Sequence, residues 1–471
     1  MSTPRTSVPL TFDAELLQRY DRPGPRYTSY PTAPQFTEAF GEAELFRQAR
    51  QTNAEPTRRS LSLYFHIPYC STPCFYCGCN RIITRDRNKA AVYLEKLQRE
   101  IALVAPLFDR HREVVQLHLG GGTPNFLRTD QLAQLIATVR NHFNLSCSPA
   151  RDFSIELDPR FLEPGDLERL AQIGFNRVSF GVQDFAPEVQ SAVNRIQSIE
   201  QTLSAIVASR SNHLRSVNVD LIYGLPRQTL AGFRDTIDTL TLLRPDRFAV
   251  YGYAHMPRLF KAQRQIDAAD LPDAQAKLGL LQLAIERLGA AGYRYIGMDH
   301  FALPEDDLSR AQDIGSLQRN FMGYTTHADC DLVGFGMSSI SHIGSSFSQN
   351  ARELHGWEAA IDGGHLPVWR GFELSLDDRV RADVIQQLMC HGKIDIGAVE
   401  RRYRIDFLSY FTDSLRQLHP LVSDGLVTVV GNIIAATSRG RLLLRVIAMC
   451  FDRYLQANLA TADRPRFSKV L

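Results

Sequence analysis

The stretch Tyr64-Phe-His-Ile-Pro-Tyr-Cys70-Ser-Thr-Pro-Cys74-Phe-Tyr-Cys77-Gly-Cys79 governs how the rest of the chain is read. It opens on a β-rich run, residues 61–67, and closes on four cysteines crowded into ten residues. Thiolates separated by three and then two residues, on a loop just after a strand, can converge on a cubane whose irons prefer sulfur ligands. Three such ligands, Cys70, Cys74 and Cys77, leave one iron free for an external chelate. A zinc knuckle needs a second ligand pair at short spacing, and none is visible near Cys147, Cys330, Cys390 or Cys450. A thioredoxin-like redox pair has no use for four cysteines so close together.

Outward from that loop the chain keeps a rhythm of short β-rich runs, each followed by a stretch of helical period: 61–67, 114–119, 153–157, 177–182, 217–222 and 248–253. Strand, helix, strand at this spacing argues for a parallel sheet. Each run ends in residues with chemistry to offer: Cys70, then Gly120-Gly-Gly-Thr-Pro124, Glu156, Gln183, Asp220 and Ala254. Functional groups in parallel α/β folds gather at the carboxyl ends of strands. Six units are fewer than the eight of a closed barrel, so the expected fold is α/β, an open, partial (β/α)6 TIM-like barrel, with a doubly wound sheet as its competitor.

Ahead of the barrel, residues 1–55 read as an N-terminal arm with a short amphipathic helix near residues 42–51, the prolines of Arg22-Pro-Gly-Pro-Arg-Tyr-Thr-Ser-Tyr-Pro-Thr32 preventing regular helix. The barrel occupies 56–360. Residues 361–471 form a small α-rich, winged-helix-like domain: helices over 376–391, 396–402 and 408–418, a two-stranded wing (425–430 and 433–437) around a Gly431-Asn432 turn, and a final helix through residue 454.

At 471 residues there is room for two or three domains. The formal net charge of +2 and the lack of a run of Lys or Arg argue against nucleic acid as a partner. Residues 1–16 lack the pattern of a secretory signal, and no apolar stretch approaches the roughly 20 residues that span a bilayer. The expectation is a cytoplasmic, single-chain protein with no membrane partner. Clustered cysteines in a reducing compartment favour metal over disulfides.

The Cys-x-x-x-Cys-x-x-Cys loop after a first barrel strand resembles the radical S-adenosylmethionine (SAM) superfamily. That resemblance implies a [4Fe–4S] cluster on Cys70, Cys74 and Cys77, SAM on the fourth iron, and a 5′-deoxyadenosyl radical released after an electron breaks the C5′–S bond. Further strings narrow the family: Ser154-Ile-Glu156-Leu-Asp158-Pro, Phe180-Gly-Val-Gln183-Asp-Phe, Val193-Asn-Arg195, Val219-Asp220-Leu-Ile-Tyr-Gly-Leu-Pro226, Tyr253-Ala-His-Met-Pro257, Tyr295-Ile-Gly-Met-Asp-His300 and Gln318-Arg-Asn-Phe-Met-Gly-Tyr-Thr-Thr326. With the arm motif Pro25-Arg-Tyr-Thr-Ser-Tyr-Pro-Thr32 they make the chain similar, over nearly its full length, to the oxygen-independent coproporphyrinogen III oxidases.

Carried over position by position, the resemblance implies two SAM molecules. Tyr64, Gly121, Glu156, Ala254 and Ile340 would line the first; Tyr76, Gly122, Thr123, Gln183, Arg195 and Asp220 would line the second, with Tyr76 departing from the family's Phe. Cys79 is the extra cysteine that the family requires outside the cluster ligands. The implied reaction, in haem biosynthesis without oxygen, turns two propionates of coproporphyrinogen III into vinyls, giving protoporphyrinogen IX, and needs an electron donor for the cluster and an unidentified electron acceptor. Arg26, Arg160, Arg177 and Arg319 are candidate cations for the propionates, and the arm a candidate lid. Rival readings are a haem-binding relative, which usually lacks the fourth cysteine and the arm motif, and an iron–sulfur regulator reading DNA through Arg439, Arg441 and Arg445.

Overall fold

The computed structural model describes residues 10–455 and 467–470; the first nine residues of the segment read above as free of a secretory signal lie outside them. Among the described residues no helix is long and apolar enough to cross a membrane. The chain forms two compact units, one from Phe36–Asp273 and Asp329–Glu373, the other from Met1–Gln35, Ala274–Ala328 and Leu374–Leu471. Both are discontinuous in sequence, unlike the three consecutive segments 1–55, 56–360 and 361–471. The reason is where apolar side chains find partners: Ile296, Ala302, Leu308, Leu317 and Tyr324 pack with Cys390, tying residues inside the expected barrel segment to the C-terminal helices.

The first unit is built on one sheet. Its strands are β1 Ser60–Ile67, β2 Glu113–Gly121, β3 Asp152–Leu157, β4 Arg177–Gln183, β5 Ser216–Tyr223, β6 Arg247–Gly252, β7 Cys330–Phe335, β8 Ile340–Ile343, β9 Ser346–Asn350 and β10 Val368–Glu373. Their spatial order is β6-β5-β4-β3-β2-β1-β7-β8-β9-β10. All pairings from β6 to β7 are parallel, and those from β7 to β10 antiparallel. The six expected strands are present and the open barrel holds. A seventh parallel strand, β7, lies beside β1, and sequence rhythm missed it because more than 75 residues separate it from β6.

Helices α1 Asn88–Val104, α2 Thr129–His142, α3 Asp166–Ile173, α4 Ile199–Ser211 and α5 Leu230–Leu242 alternate with β1 to β6. Ser198 and Thr229 cap α4 and α5 by accepting from the N–H groups of Gln201 and Gly232. Buried and half-buried positions alternate along the strands, throughout β3 and from Val178 onward in β4. The fully buried members are apolar, such as Leu117, Leu119, Ile155, Phe180 and Val219. The other face carries Tyr64, His66, His118, Ser154, Glu156, Ser179, Asn218 and Asp220. Period-two alternation thus gives the sheet one apolar face for helices and one polar face for chemistry.

In the second unit a helix absent from the sequence reading, Ala14–Tyr20, is capped by Asp13. The C-terminal helices are Leu376–His391, Ile396–Tyr403, Phe407–Tyr410, Thr412–Ser423 and Leu444–Met449. The expected wing has three strands, because Lys393–Asp395 joins Ile433–Ala436 and Val427–Val430. Four arm residues, Leu16, Leu17, Tyr27 and Tyr30, are buried among this unit's apolar residues. Tyr27 donates to Asp452 Oδ2 at 2.9 Å, and Arg445 donates to Pro25 O at 3.0 Å. Tyr27 and Tyr30 of the arm thus bury their rings in this unit's core.

Candidate active site

The cysteine loop leaves β1 through Pro68, and a two-residue strand, Tyr69–Cys70, pairs in parallel with Ile82–Ile83. Arg81 holds the loop between them, its guanidinium donating to Cys77 O at 3.2 Å and Cys74 O at 3.0 Å. Each of the three sulfurs receives a donor. Thr123 Oγ1 lies 3.2 Å from Cys70 Sγ, Arg195 Nη1 3.7 Å from Cys74 Sγ, and Cys79 N 3.4 Å from Cys77 Sγ. Donation favours thiolate over thiol. A side-chain hydrogen bond donated by the Cys79 thiol, aided by Arg81 and the Cys79 N–H, brings the Cys77 thiol down to about 6 against the opposing effect of burial. The same hydrogen bond pushes Cys79 well above the ordinary thiol range. Burial takes Cys70 up to about 11.

No three His, Cys, Asp or Glu side chains among the described residues converge on one point, as a single ion would require. A cubane makes no such demand, since each thiolate binds a different iron. Three donor-supported thiols on one clamped loop fit that arrangement.

Next to the loop lies the glycine turn ending β2. Gly122 N donates to Ile67 O at 2.8 Å and Thr123 N to Tyr69 O at 2.9 Å. Gly121 has φ +115°, and a Cβ there would sit 2.6 Å from the His66 ring; one on Gly122 would sit 2.6 Å from Pro68 O. The backbone must be bare here for the turn to pack against the loop.

His118 and Glu156 face each other from β2 and β3, Nε2 to Oε1 at 3.2 Å, and Gly121 N donates to Glu156 Oε2 at 3.3 Å. Burial opposes ionisation of Glu156, but His118 and the Gly121 N–H hold it below the ordinary carboxylate range. Its side chain is nevertheless 44% exposed, so it faces open space on the polar side of the sheet. Tyr64 stacks on His118 at 5.9 Å between centroids and donates to His66 Nδ1 at 3.1 Å, while His66 Nε2 donates to Asn80 O at 2.9 Å. Both His66 nitrogens are satisfied, and burial lowers its pKa. Asp220 accepts from Asn218 at 2.8 Å and Ser179 at 3.1 Å. Burial, reinforced by the charge of Glu156, pushes it up to about 7.

Arg195 is buried and anchored by Asp158 Oδ2 at 2.9 Å and Gly181 O at 2.6 Å. Gln183 ends β4 with φ +71°, beside a register shift against β5. Tyr76 packs against the apolar cluster of Val189, Val193, Leu225 and Tyr253, and its carbonyl, like that of Ala254, accepts from Gln263. Ile340 opens β8, and a Cβ on Gly334, the β7 neighbour of Tyr64, would meet Ile340 O at 2.7 Å.

The structure thus links Tyr64, Gly121 and Glu156 in one network and draws Thr123 and Arg195 to the cysteine sulfurs, while Asp220 sits close enough for Glu156 to raise it. Sequence reading missed His118, Ser154, Ser179, Asn218 and Arg81. The first four share the alternating polar face with residues it did find, so the period-two pattern was the available signal. Of the candidate propionate cations, Arg160 binds Asp158, Arg177 pairs with Asp152 and Arg26 pairs with Asp299. Of the arginines of the DNA reading, Arg439 pairs with Asp13 and Arg445 donates to Pro25 O and Val470 O, while the Arg441 guanidinium lies over Tyr295.

Comparison with known proteins agrees with this geometry. Residues 64–240 match the family model "Radical SAM superfamily" and residues 374–443 the "HemN C-terminal domain". The oxygen-independent coproporphyrinogen III oxidase of Pseudomonas aeruginosa is 49% identical over 462 residues, covering 98% of this chain and 99% of that protein. The protein of the same name from Escherichia coli is 46% identical over the same shares. The solved structure of the Escherichia coli coproporphyrinogen III oxidase (HemN), described as a radical SAM enzyme, superposes with a TM-score of 0.90 at 45% identity, covering 94% of this chain and 99% of that one. A cysteine loop with three donor-supported sulfurs beside a bare glycine turn, in a chain this similar end to end, places the protein in the oxygen-independent coproporphyrinogen III oxidase family of radical SAM enzymes.

Proposed function

We propose that this chain decarboxylates two propionates of coproporphyrinogen III to vinyl groups without oxygen, giving protoporphyrinogen IX. The observation that carries the reading is the donor set on the cysteine loop: three thiols on one clamped turn, each receiving a hydrogen bond, beside an ionised carboxylate facing open space. Cys70, Cys74 and Cys77 would hold a [4Fe–4S] cluster, and with SAM bound beside it the pair supplies one-electron cleavage of a C–S bond and a radical able to take hydrogen from a propionate β-carbon.

The remaining work belongs to the protein's own side chains. Glu156, kept ionised by His118 and Gly121, would accept from ammonium or hydroxyl groups of a first SAM, which Tyr64, Ala254 and Ile340 would also help to hold. Gly121 and Gly122 let that ligand and a second approach the backbone. Tyr76, Thr123, Gln183, Arg195 and Asp220 would hold the second. Asp158 keeps Arg195 from turning away, and Asp220 holds its proton to about pH 7, so it donates as well as accepts near neutrality. Cys79, required alongside the ligands, acts next to Cys77. Each turnover also releases carbon dioxide and one electron from the substrate, so the chain works with an electron acceptor and with a separate donor that reduces the cluster. It acts as a single copy in the cytoplasm, with the arm (1–55), barrel (56–360) and helical domain (361–471) as its functional divisions.

The test is anaerobic reconstitution with iron and sulfide, followed by reductant, SAM and coproporphyrinogen III. The expected result is 5′-deoxyadenosine with mono- and divinyl porphyrin products. Deoxyadenosine without vinyl formation would mean a different substrate, and stable haem binding without decarboxylation would favour the haem-binding relative.

A further inference from the structure

Arg319, in the short strand Gln318–Asn320, differs from the other candidate cations. It is 7% exposed, and its Nε and Nη1 are buried without a hydrogen-bond partner. No carboxylate among the described residues pairs with it; its guanidinium lies over the Tyr324 ring at 4.9 Å. Arg441, from the other end of the same unit, repeats the pattern: its Nε is buried without a partner and its guanidinium lies over Tyr295 at 5.8 Å. The two lie in one neighbourhood: a Cβ on Gly297 would collide with the Tyr324 hydroxyl, which donates to Met389 O at 2.8 Å, and Tyr295 stands two residues earlier in the same strand, Arg294–Gly297. The adjacent Arg294 is neutralised by Asp313 at 2.6 Å, so counter-charge is supplied where it is needed for structure and is missing at these two.

Burying an unpaired guanidinium is costly, and a further cation nearby adds repulsion, as Arg294 does at Arg441. Burial pulls Arg441 below its ordinary range, the mark of a cation short of an anion. Aromatic faces hold both planes without consuming their N–H groups. We propose that Arg319 and Arg441 form a carboxylate-binding pocket, floored by Tyr324 and Tyr295, that takes a propionate of the tetracarboxylate substrate. The identity of the ligand rests on the function proposed above; the anion pocket itself does not.

The test uses the reconstituted holoenzyme with coproporphyrin III and, as a probe with the same macrocycle but no charge, its tetramethyl ester. In Arg319→Met and Arg441→Met, coproporphyrin III should bind about tenfold or more weakly, as expected for loss of a charge-assisted hydrogen bond, while ester binding and iron content stay unchanged. The porphyrin-free Tm should hold or rise, because an uncompensated buried charge is gone; an arginine with a purely structural role would lower it. Arg319→Lys, which keeps the charge without the fork, should fall between and serves if a methionine variant fails to fold. Unchanged affinity for coproporphyrin III in both methionine variants, or an equal loss for acid and ester, overturns the pocket. An enzyme that distinguishes acid from ester yet forms no vinyl product overturns the reaction and leaves the pocket standing.

Discussion

At the residue scale, the site depends on atoms that are missing as much as on those present. Gly121 combines φ +115° with a ring 2.6 Å from any added Cβ. Gly121→Ala should therefore lose more than about 1 kcal/mol of stability and displace His66 from its bonds to Tyr64 and Asn80, seen as a lower Tm and weaker SAM binding by calorimetry. Asp158 is the opposite case, a buried carboxylate whose lone pairs are consumed by Arg160 and Arg195. Those cations hold it below the ordinary range although burial opposes them. Asp158→Asn leaves both short of a counter-charge and should cost about 3–5 kcal/mol, with iron content falling because Arg195 also reaches Cys74.

At the element scale, α1 carries a buried acid that ties it to β7 and β9. Glu100 accepts from Gly336 N at 2.7 Å, Asn350 Nδ2 at 2.7 Å and Trp357 Nε1 at 3.2 Å. Burial outweighs these three donors and pushes the carboxyl up to about 8, from an ordinary 4.5. The folded protein thus keeps a proton there that the unfolded chain releases near pH 4.5. Linkage makes this contribution complete below pH 4.5 and progressively lost as pH rises towards 8. Urea midpoints should fall between pH 5 and 8, and Glu100→Gln, which cannot titrate, should flatten that part of the slope. An identical slope in the variant would assign it to other groups.

At the scale of the whole molecule, the arm decides what truncation does. Removing residues 1–36 takes Leu16, Leu17, Tyr27 and Tyr30 out of a core they share with Val380, Phe411 and Met449. Each buried side chain of this size contributes about 1.5–3 kcal/mol, and Asp452 and Arg445 lose partners as well. The truncated protein should show a loss of cooperative unfolding by circular dichroism in the C-terminal unit, a broader defect than the loss of turnover alone that a removable lid would give.

The chain's linear pattern was enough for the barrel's six sequential strands, the loop that gathers Cys70, Cys74 and Cys77, and the carboxylates at strand ends. Those features are local: a period of two, a spacing of three and then two, and a turn made of glycines each follow from neighbouring residues and backbone sterics. What pairs across long separations was decided only in three dimensions. The seventh parallel strand, the third strand of the wing, the burial of Tyr27 and Tyr30, and the partnership of His118 with Glu156 all need side chains tens or hundreds of residues apart to meet. The same holds for Arg319: sequence placed it among four equivalent cations, and folding gave three of them carboxylates and left the fourth buried with none. A residue's charge is written in its name, but whether that charge is spent on structure or left for a ligand depends on which distant groups the fold brings to it.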